Sequence, residues 1–400
     1  MGEWKESASG GRAAEIAAEL AVHFESGGDT PRAIRYLGQA ADQALRHAAH
    51  REAADHLTKG LALLKTLPET PERTQQELRL QVALSAPLAM TKGYAAPEVG
   101  RAYSRARALS QEVEETPQLF PMLYGLCRFY MLRAELQTAY EQAERLLSLA
   151  QRAEDLGLLR MAHMMLLAIL AFRGEFVRAR SHLGQTTALY NPHQGRSLLF
   201  LYGDDPEVAS LSHGAWTLWY LGYPDQALER IDEALTLARE LSHPFILGFA
   251  LACAAQLHVY RREGQAAQAQ AEEVIALAHE HGFPHFLAYG LILRGGALAA
   301  QGRGEEGIAQ IRQGLATCQA IGQELGGSYF LALLAEAYRA AGQVEEALNV
   351  LDQALEAAHK TGERLHEAEI YRLKGELALR SKVQSLEAEE CFHQALEIAR

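Results

Sequence analysis

The stretch LALLAEAYRAAGQVEEALNVLDQALEAA, residues 331–358, decides the fold of this chain. Small and large apolar residues recur at helical spacing on both sides of Gly342, which describes two helices joined by a tight turn. The positions are Leu331, Ala335, Tyr338, Gly342, Ala347, Leu351 and Ala354, and the same offsets give Leu211, Ala215, Leu218, Gly222, Ala227, Ile231 and Ala234. A repeat of about 40 residues indicates a solenoid, because each hairpin must bury its apolar face against the next.

The same period runs along nearly the whole chain. Turns are expected at Ala134, Gly174, Gly222, Gly264, Gly302 and Gly342, where glycine can adopt the left-handed conformation that ends a helix. No segment alternates apolar and polar residues over the length of a strand. We therefore predict an all-α fold, a right-handed α-α superhelix of antiparallel helix hairpins.

The sequence divides into four parts. Residues 1–12 are small, polar and glycine-rich, and we expect them to be disordered or derived from the expression vector. Helix hairpins are predicted over residues 13–190 and 207–400, separated by an irregular insertion at 191–206 that is longer than a typical connection. The last helix is still amphipathic at Arg400 without a polar capping helix, so we expect a chain truncated at its C terminus.

Composition narrows the class of protein. The net charge is −12 and no block of lysine or arginine occurs, which argues against binding to nucleic acid. The N terminus lacks a signal peptide's apolar core, and the longest apolar runs, Met164–Phe172 and Phe245–Ala255, are too short for a bilayer. The four cysteines lie apart in apolar helical stretches, as buried reduced thiols do. We expect a cytoplasmic protein with no nucleic-acid or membrane partner.

Motifs that suggest chemistry have simpler explanations here. Gly302, Gly304 and Gly307 spell GxGxxG, but a dinucleotide site needs a preceding strand, and these glycines fall at a helix turn. The histidines of HEHGFPH, residues 279–285, lie at a helix end, where the helix dipole favours them. Walker A, HExxH, GxSxG and SxxK motifs do not occur. A catalytic triad is assembled only in space, so sequence leaves it open. Since the repeats explain most of the pattern, we predict no enzyme activity, cofactor or metal.

The seven offsets match the signature of the tetratricopeptide repeat (TPR). The unit around Gly302 departs from it, with Gly295, Gly307 and Gly314 where alanine is commoner. The period is a few residues longer than that of a standard TPR, and such long helices resemble the sensor region of the MalT-type transcriptional activators.

Whole phrases resemble one bacterial group more specifically. They include LKTLPETPERTQQELRLQVAL (64–84), GYPDQALERIDEALTLARELSHPF (222–245) and ERLHEAEIYRLKGELAL (363–379). These phrases are similar to the C-terminal TPR region of multidomain proteins with an AAA-type ATPase module, many of which also carry a class III nucleotide cyclase domain. The resemblance implies a sensor or adaptor segment. The ATPase and cyclase activities do not transfer, because the repeats occupy the chain.

The TPR resemblance also nominates binding residues, because certain first-helix positions face the concave side of such a solenoid. The candidates are Tyr124, Arg128, Met131, Met164, Trp216, Trp219, Tyr220, His258, Arg261, Arg262, Tyr329, Glu336 and Arg339. Trp216 and Trp219 share a helical face near an arginine pair, and Trp, Tyr and Arg are enriched at binding hot spots. The alternative is that both tryptophans pack against the insertion, with its Phe200 and Tyr202.

Three functions remain open at this point. The leading prediction is a scaffold or sensor that binds a protein or peptide partner in its concave groove and regulates an attached ATPase or cyclase-type module. The first alternative is a sensor of a small-molecule effector, of the MalT type. The second is a structural spacer that associates with itself as a homo-oligomer.

Overall fold

The computed structural model describes Trp4, Glu6 and residues 16–47, 49–93, 96–110, 120–191, 203–380 and 385–399. Over these residues the chain forms nineteen α-helices and no strand, which confirms the predicted all-α helical-repeat superhelix. The expectations for most of residues 1–15, for 192–202 with Phe200 and Tyr202, and for Arg400 lie outside the described residues.

Most of the helices follow one another through short connections. The first nine are α1 (Ala17–Ser26), α2 (Thr30–Arg46), α3 (His50–Leu64), α4 (Pro71–Lys92), α5 (Pro97–Ser110), α6 (Phe120–Leu132), α7 (Leu136–Ala153), α8 (Leu156–Phe172) and α9 (Phe176–Ala188). The other ten are α10 (Pro206–Tyr220), α11 (Pro224–Leu241), α12 (Pro244–Tyr260), α13 (Gly264–His281), α14 (Pro284–Ala300), α15 (Gly304–Ala320), α16 (Gly327–Ala340), α17 (Val344–Thr361), α18 (Glu367–Arg380) and α19 (Ser385–Ala399).

Capping residues and prolines explain where several helices begin. The Asp29 carboxylate accepts a hydrogen bond from the backbone N–H of Arg32 at 3.1 Å. The Asp205 carboxylate accepts from the N–H groups of residues 207–208, both at 3.0 Å. Helices α10, α11, α12 and α14 each start with proline, whose missing N–H has no helical partner at that position anyway.

From α6 onward the helices pair as hairpins with an inner and an outer member. The inner helices α8, α10, α12, α14 and α16 contact one another in sequence along the chain. Nearly every residue of α10 is buried, whereas α11 buries a single stripe: Ala227, Ile231, Ala234, Leu235 and Ala238. An outer helix therefore presents its polar face to water, and the inner helices form the concave side.

The hairpin turns share one backbone feature. The second residue after each of the inner helices α6, α8, α10, α12, α14 and α16 has a positive φ; these residues are Ala134, Gly174, Gly222, Arg262, Gly302 and Gly342. The prediction of Gly264 as a turn residue is wrong, because Arg262 adopts the left-handed conformation and Gly264 is the first residue of α13.

Backbone hydrogen bonds join successive turns of the superhelix. The N–H groups of residues 324–325 donate to the carbonyl oxygen of Leu132, both at 3.0 Å, and those of residues 364–365 donate to Phe172 at 2.8 and 3.2 Å. Leu132 and Phe172 end α6 and α8, where carbonyl groups have no intrahelical partner. We call the two loops that supply these donors, residues 321–326 and 362–366, the seam loops. Each caps an inner helix that lies one superhelical turn earlier.

The apolar core follows the superhelix. One continuous cluster of buried side chains extends from Leu78 to Leu377, and two smaller clusters lie between helices α1 to α4. Among the described helices, none combines the length and apolar character that crossing a membrane requires.

Candidate ligand-binding site

A cavity of about 490 Å³ opens on the concave side, against α10, α12, α14, α16 and α18. We call it the central cavity. Six of the thirteen residues nominated from sequence line it: Trp219, Tyr220, Arg262, Tyr329, Glu336 and Arg339. Small residues such as Gly296 and Ala332 line other parts of its wall and keep it deep. Its volume lies within the range of about 300–1,000 Å³ that is usual for ligand sites.

One wall of the central cavity is aromatic and centres on His366. The Tyr220 hydroxyl lies 2.6 Å from His366 Nδ1, and the Tyr260 hydroxyl lies 3.3 Å from Nε2. The ring of Tyr329 stacks on the imidazole at 4.1 Å between centroids, and Trp219 stacks on Tyr260 at 6.3 Å. Five aromatic rings from four separate parts of the chain thus fix one another's orientation.

The histidine in this wall is neutral at physiological pH. Burial lowers the pKa of His366 to about 3, so one ring nitrogen donates and the other accepts. Burial also raises the pKa values of Tyr220 and Tyr260 well above 10.0, so both phenols stay protonated. Sequence reasoning missed His366, because it belongs to a seam loop that reaches Tyr220 across one superhelical turn.

The other wall carries charge. Burial raises the pKa of the Glu336 carboxyl and nearby Glu369 raises it further, whereas Arg339 and Arg262 favour its ionised form. The Glu369 carboxylate is itself paired with Arg372, whose Nε and one terminal nitrogen each donate to one of its oxygens at 2.7 Å. This wall therefore offers guanidinium donors beside a half-buried carboxylate, the mixture that can orient a polar ligand.

Four other nominated residues line a second, much smaller cavity of about 50 Å³ deeper in the core. They are Arg128, Met131, Met164 and Trp216. Trp216 is 2% exposed, and its Nε1 donates to the carbonyl oxygen of Cys253 at 3.2 Å. A space of this size can hold a few water molecules but no peptide side chain of ordinary size. The two tryptophans therefore separate: Trp216 packs in the core and Trp219 faces the central cavity.

Tyr124 lies in the same deep region and forms a polar contact there. Its hydroxyl donates to the Asp204 carboxylate at 2.6 Å, and Arg128 forms an ion pair with the same carboxylate. Asp204 is 2% exposed, so these buried partners neutralise it. Tyr124 and Arg128 thereby tie α6 to the segment that precedes α10.

The last two nominated residues contact a hairpin turn. His258 Nδ1 lies 2.7 Å from one oxygen of the Glu263 carboxylate, and Arg261 Nε donates to the other at 2.9 Å. Glu263 immediately precedes α13. His258 and Arg261 thus stabilise the connection between α12 and α13.

The sequence motifs considered as cofactor, metal or thiol sites occupy helices and turns of the repeat fold. The glycines of the GxGxxG match lie at the turn between α14 and α15 and in the first turn of α15, so helices flank them on both sides. Within the described part of the chain, no group of three histidine, cysteine, aspartate or glutamate side chains could hold a metal ion. Burial raises the pKa values of Cys127 and Cys253 far above neutrality, which keeps both sulfurs protonated.

No protein-family model matches the sequence, and no curated protein sequence matches it. Solved structures do match. A Rap protein in complex with Competence and Sporulation Factor aligns with a TM-score of 0.67 at 11% identity, over 91% of this chain and 97% of the Rap chain. This similarity shows the fold, a helical-repeat superhelix of the TPR type.

Two further solved structures align with lower scores. One is a Signal Transduction ATPase with Numerous Domains protein with a tetratricopeptide repeat sensor from Pyrococcus horikoshii, at 14% identity and a TM-score of 0.46. The alignment covers 86% of this chain and 52% of that protein, so the present chain spans about half its length. The other is a tetratricopeptide repeat protein from Parabacteroides merdae, at 14% identity and a TM-score of 0.38, over 71% and 94% of the two chains.

Proposed function

We propose that this chain is a non-catalytic repeat scaffold that binds a peptide, or an extended segment of a partner protein, in the central cavity. The observation that carries the proposal is the convergence of side chains from several hairpins on one concave space. Trp219, Tyr260 and Tyr329 supply ring faces there, and Arg339 and Glu336 supply hydrogen-bonding groups. Buried aromatic and arginine side chains are the usual anchors of peptide and protein interfaces.

The similarity of fold supports the same proposal. The Rap protein that shares this superhelix was solved in complex with Competence and Sporulation Factor. A superhelix of this kind is therefore compatible with a bound factor. In the present chain, the inner helices line a concave surface, and the central cavity is a part of it where aromatic and charged groups meet.

Binding would act on the seam loops. His366 ends one seam loop and contacts Tyr220, and residues 364–365 of that loop donate to Phe172. A ligand that packs against Tyr220 and His366 would favour the state in which this seam is formed. If the chain belongs to a longer cytoplasmic protein, that shift would regulate an attached ATPase or cyclase-type output module.

A small-molecule effector is the second candidate. The volume of about 490 Å³ suits a compact metabolite as well as a few peptide residues. In this case the effector would be enclosed by the superhelix, and the same aromatic wall would contact it.

Affinity selection distinguishes the candidates. The purified chain is mixed with a pool of random peptides or with a metabolite extract, separated by size exclusion, and the retained molecules are identified by mass spectrometry. Trp219→Ala should weaken peptide binding by about 30-fold, the loss of one hot-spot residue. Tyr223→Ala is the matched control, because Tyr223 is 38% exposed and stacks with Arg180 outside the cavity.

Each outcome has a definite meaning. Peptides that the wild type and Tyr223→Ala retain and Trp219→Ala loses support the proposal. Retention of a metabolite alone, with the same dependence on Trp219, supports the second candidate. Binding that Trp219→Ala leaves unchanged excludes the central cavity, and a size that grows with concentration without any retained ligand favours the self-associating spacer.

A further inference from the structure

One hairpin turn carries an arginine where most others carry glycine. Gly174, Gly222, Gly302 and Gly342 occupy the left-handed position, with φ between 75° and 83°. Arg262 occupies the same position with φ 59°. A side chain in this conformation brings its Cβ against the backbone, which glycine avoids. Ala134 adopts the same conformation with φ 55°, so the position tolerates a side chain, and at Arg262 that side chain lines the central cavity.

Two guanidinium groups at this cavity have no ion-pair partner among the residues that the structure describes. Arg372 binds Glu369 and Glu376, and other arginines of the region are paired in the same way. By contrast, Arg262 and Arg339 form no ion pair with any residue that the structure describes, although both act electrostatically on Glu336. The chain has a net charge of −12, yet these two arginines, unpaired within the described part of the chain, line the same cavity.

Buried donors without partners point to the same space. The Nε of Arg339 is buried and has no hydrogen-bond partner in the described chain, and the same holds for the Tyr329 hydroxyl. Tyr329 is only 7% exposed and lines the central cavity. A buried polar group without a partner is unfavourable unless something else satisfies it. Here a ligand with acceptor oxygens would do so.

We propose that the ligand of the central cavity is an acidic peptide whose carboxylate binds between Arg262 and Arg339, with the Tyr329 hydroxyl as a further donor. The inference rests on the proposed function and specifies its ligand. Guanidinium groups bind carboxylates through two parallel hydrogen bonds, which gives both affinity and orientation. Glu336 can accept a backbone N–H of the peptide, and Trp219 provides an apolar face for a neighbouring side chain.

The test uses three pools of random pentapeptides that differ only in a fixed central residue: aspartate, asparagine or lysine. The peptides are acetylated and amidated, so the central side chain carries the difference in charge. Retained peptides are resynthesised with a fluorophore, and their dissociation constants are measured by anisotropy. We expect aspartate peptides to bind about tenfold or more tightly than their asparagine counterparts, and added salt to weaken them.

Three variants test whether Arg262 and Arg339 cause the preference for aspartate peptides. Arg339→Gln should abolish the preference for aspartate. Arg262→Gly should weaken aspartate peptides about tenfold while its urea midpoint stays equal or rises, because glycine relieves the left-handed strain. Arg303→Gln, which removes an exposed partner of Glu306 in the next hairpin turn, is the matched control and should leave binding unchanged.

The outcomes distinguish failure of the acidic ligand from failure of peptide binding itself. Equal binding of aspartate and asparagine peptides, or a preference that survives both cavity variants, would overturn the acidic ligand and leave peptide binding intact. Retention of no peptide from any pool would overturn peptide binding itself. Saturable binding of succinate or inorganic phosphate without peptide retention would assign the arginines to a small anion and overturn the peptide as its source.

Discussion

Replacing Gly307 with alanine should force helices α14 and α15 apart. A Cβ atom on Gly307 would lie 2.7 Å from the carbonyl oxygen of Gly295, and one on Gly295 would lie 2.8 Å from that of Gly307. Gly314 is crowded in the same way, 2.8 Å from the carbonyl oxygen of Ala288. These neighbours are backbone atoms, which cannot rotate away as a side chain does. The two helices must therefore separate, and buried side chains such as Ile311 lose contact.

The net effect follows from two opposing contributions. Overpacking a buried contact costs about 1–3 kcal/mol, and a backbone clash belongs at the upper end. Alanine returns about 1 kcal/mol through its higher helix propensity. We expect the free energy of unfolding to fall by about 1–2 kcal/mol, measured by urea denaturation with far-UV circular dichroism.

A second glycine provides the control. Gly184 lies inside α9, and apart from its own chain neighbours and helix backbone, no atom of the described residues lies within 4 Å of a Cβ built there. Gly184→Ala should therefore raise the free energy of unfolding by about 0.5–1 kcal/mol. If Gly307→Ala stabilises the protein as much as Gly184→Ala does, the close approach of α14 and α15 is refuted.

Three further predictions concern the core and the seam. Ala347→Leu, at a fully buried position of α17, should overpack its hairpin and lower the free energy of unfolding by about 1–3 kcal/mol in urea denaturation; no loss would contradict tight packing there. Burial lowers the pKa of His366 from 6.5 to about 3. The contribution of the neutral imidazole to the free energy of unfolding is therefore complete above pH 6.5 and is lost as pH falls. At pH 5 this lowers the free energy of unfolding by about 2 kcal/mol relative to pH 7. Urea titrations at pH 7 and pH 5 should show this loss in the wild type, and a His366→Asn variant should not show it. Burial raises the pKa of Glu363 from 4.5 to about 7, so stability falls as pH rises through this range. Glu363→Gln should remove that fall and stabilise the protein by up to about 3 kcal/mol at pH 8; an unchanged pH profile would argue against burial of this charge.

The helices and hairpins could be predicted because their signals are local. Apolar spacing near Leu331 and Tyr338 fixes the inner face of a helix, and a turn glycine such as Gly342 marks where it ends. The inner-face positions also brought Trp219 and Arg339 to the central cavity. The departures from the TPR signature at Gly295 and Gly307 have a physical reason too, since these glycines let two helix backbones touch.

What sequence could not show depends on contacts between distant turns. His366 reaches Tyr220 only because the superhelix completes a turn, and no local pattern encodes that meeting. The split between Trp216 and Trp219 is decided by neighbouring hairpins, which surround the first and leave the second at the cavity. Arg262 was assigned to the groove, but its left-handed turn position was given to Gly264 because glycine is the usual residue there.

Hydrogen–deuterium exchange with and without a selected peptide tests the central claim most directly. We expect slower exchange in α10, α12, α16 and α18 and in the seam loop 362–366, with little change in the outer helices α11, α13 and α15. Protection confined to those outer helices, or absent from the whole described chain at saturating peptide, would contradict binding in the central cavity.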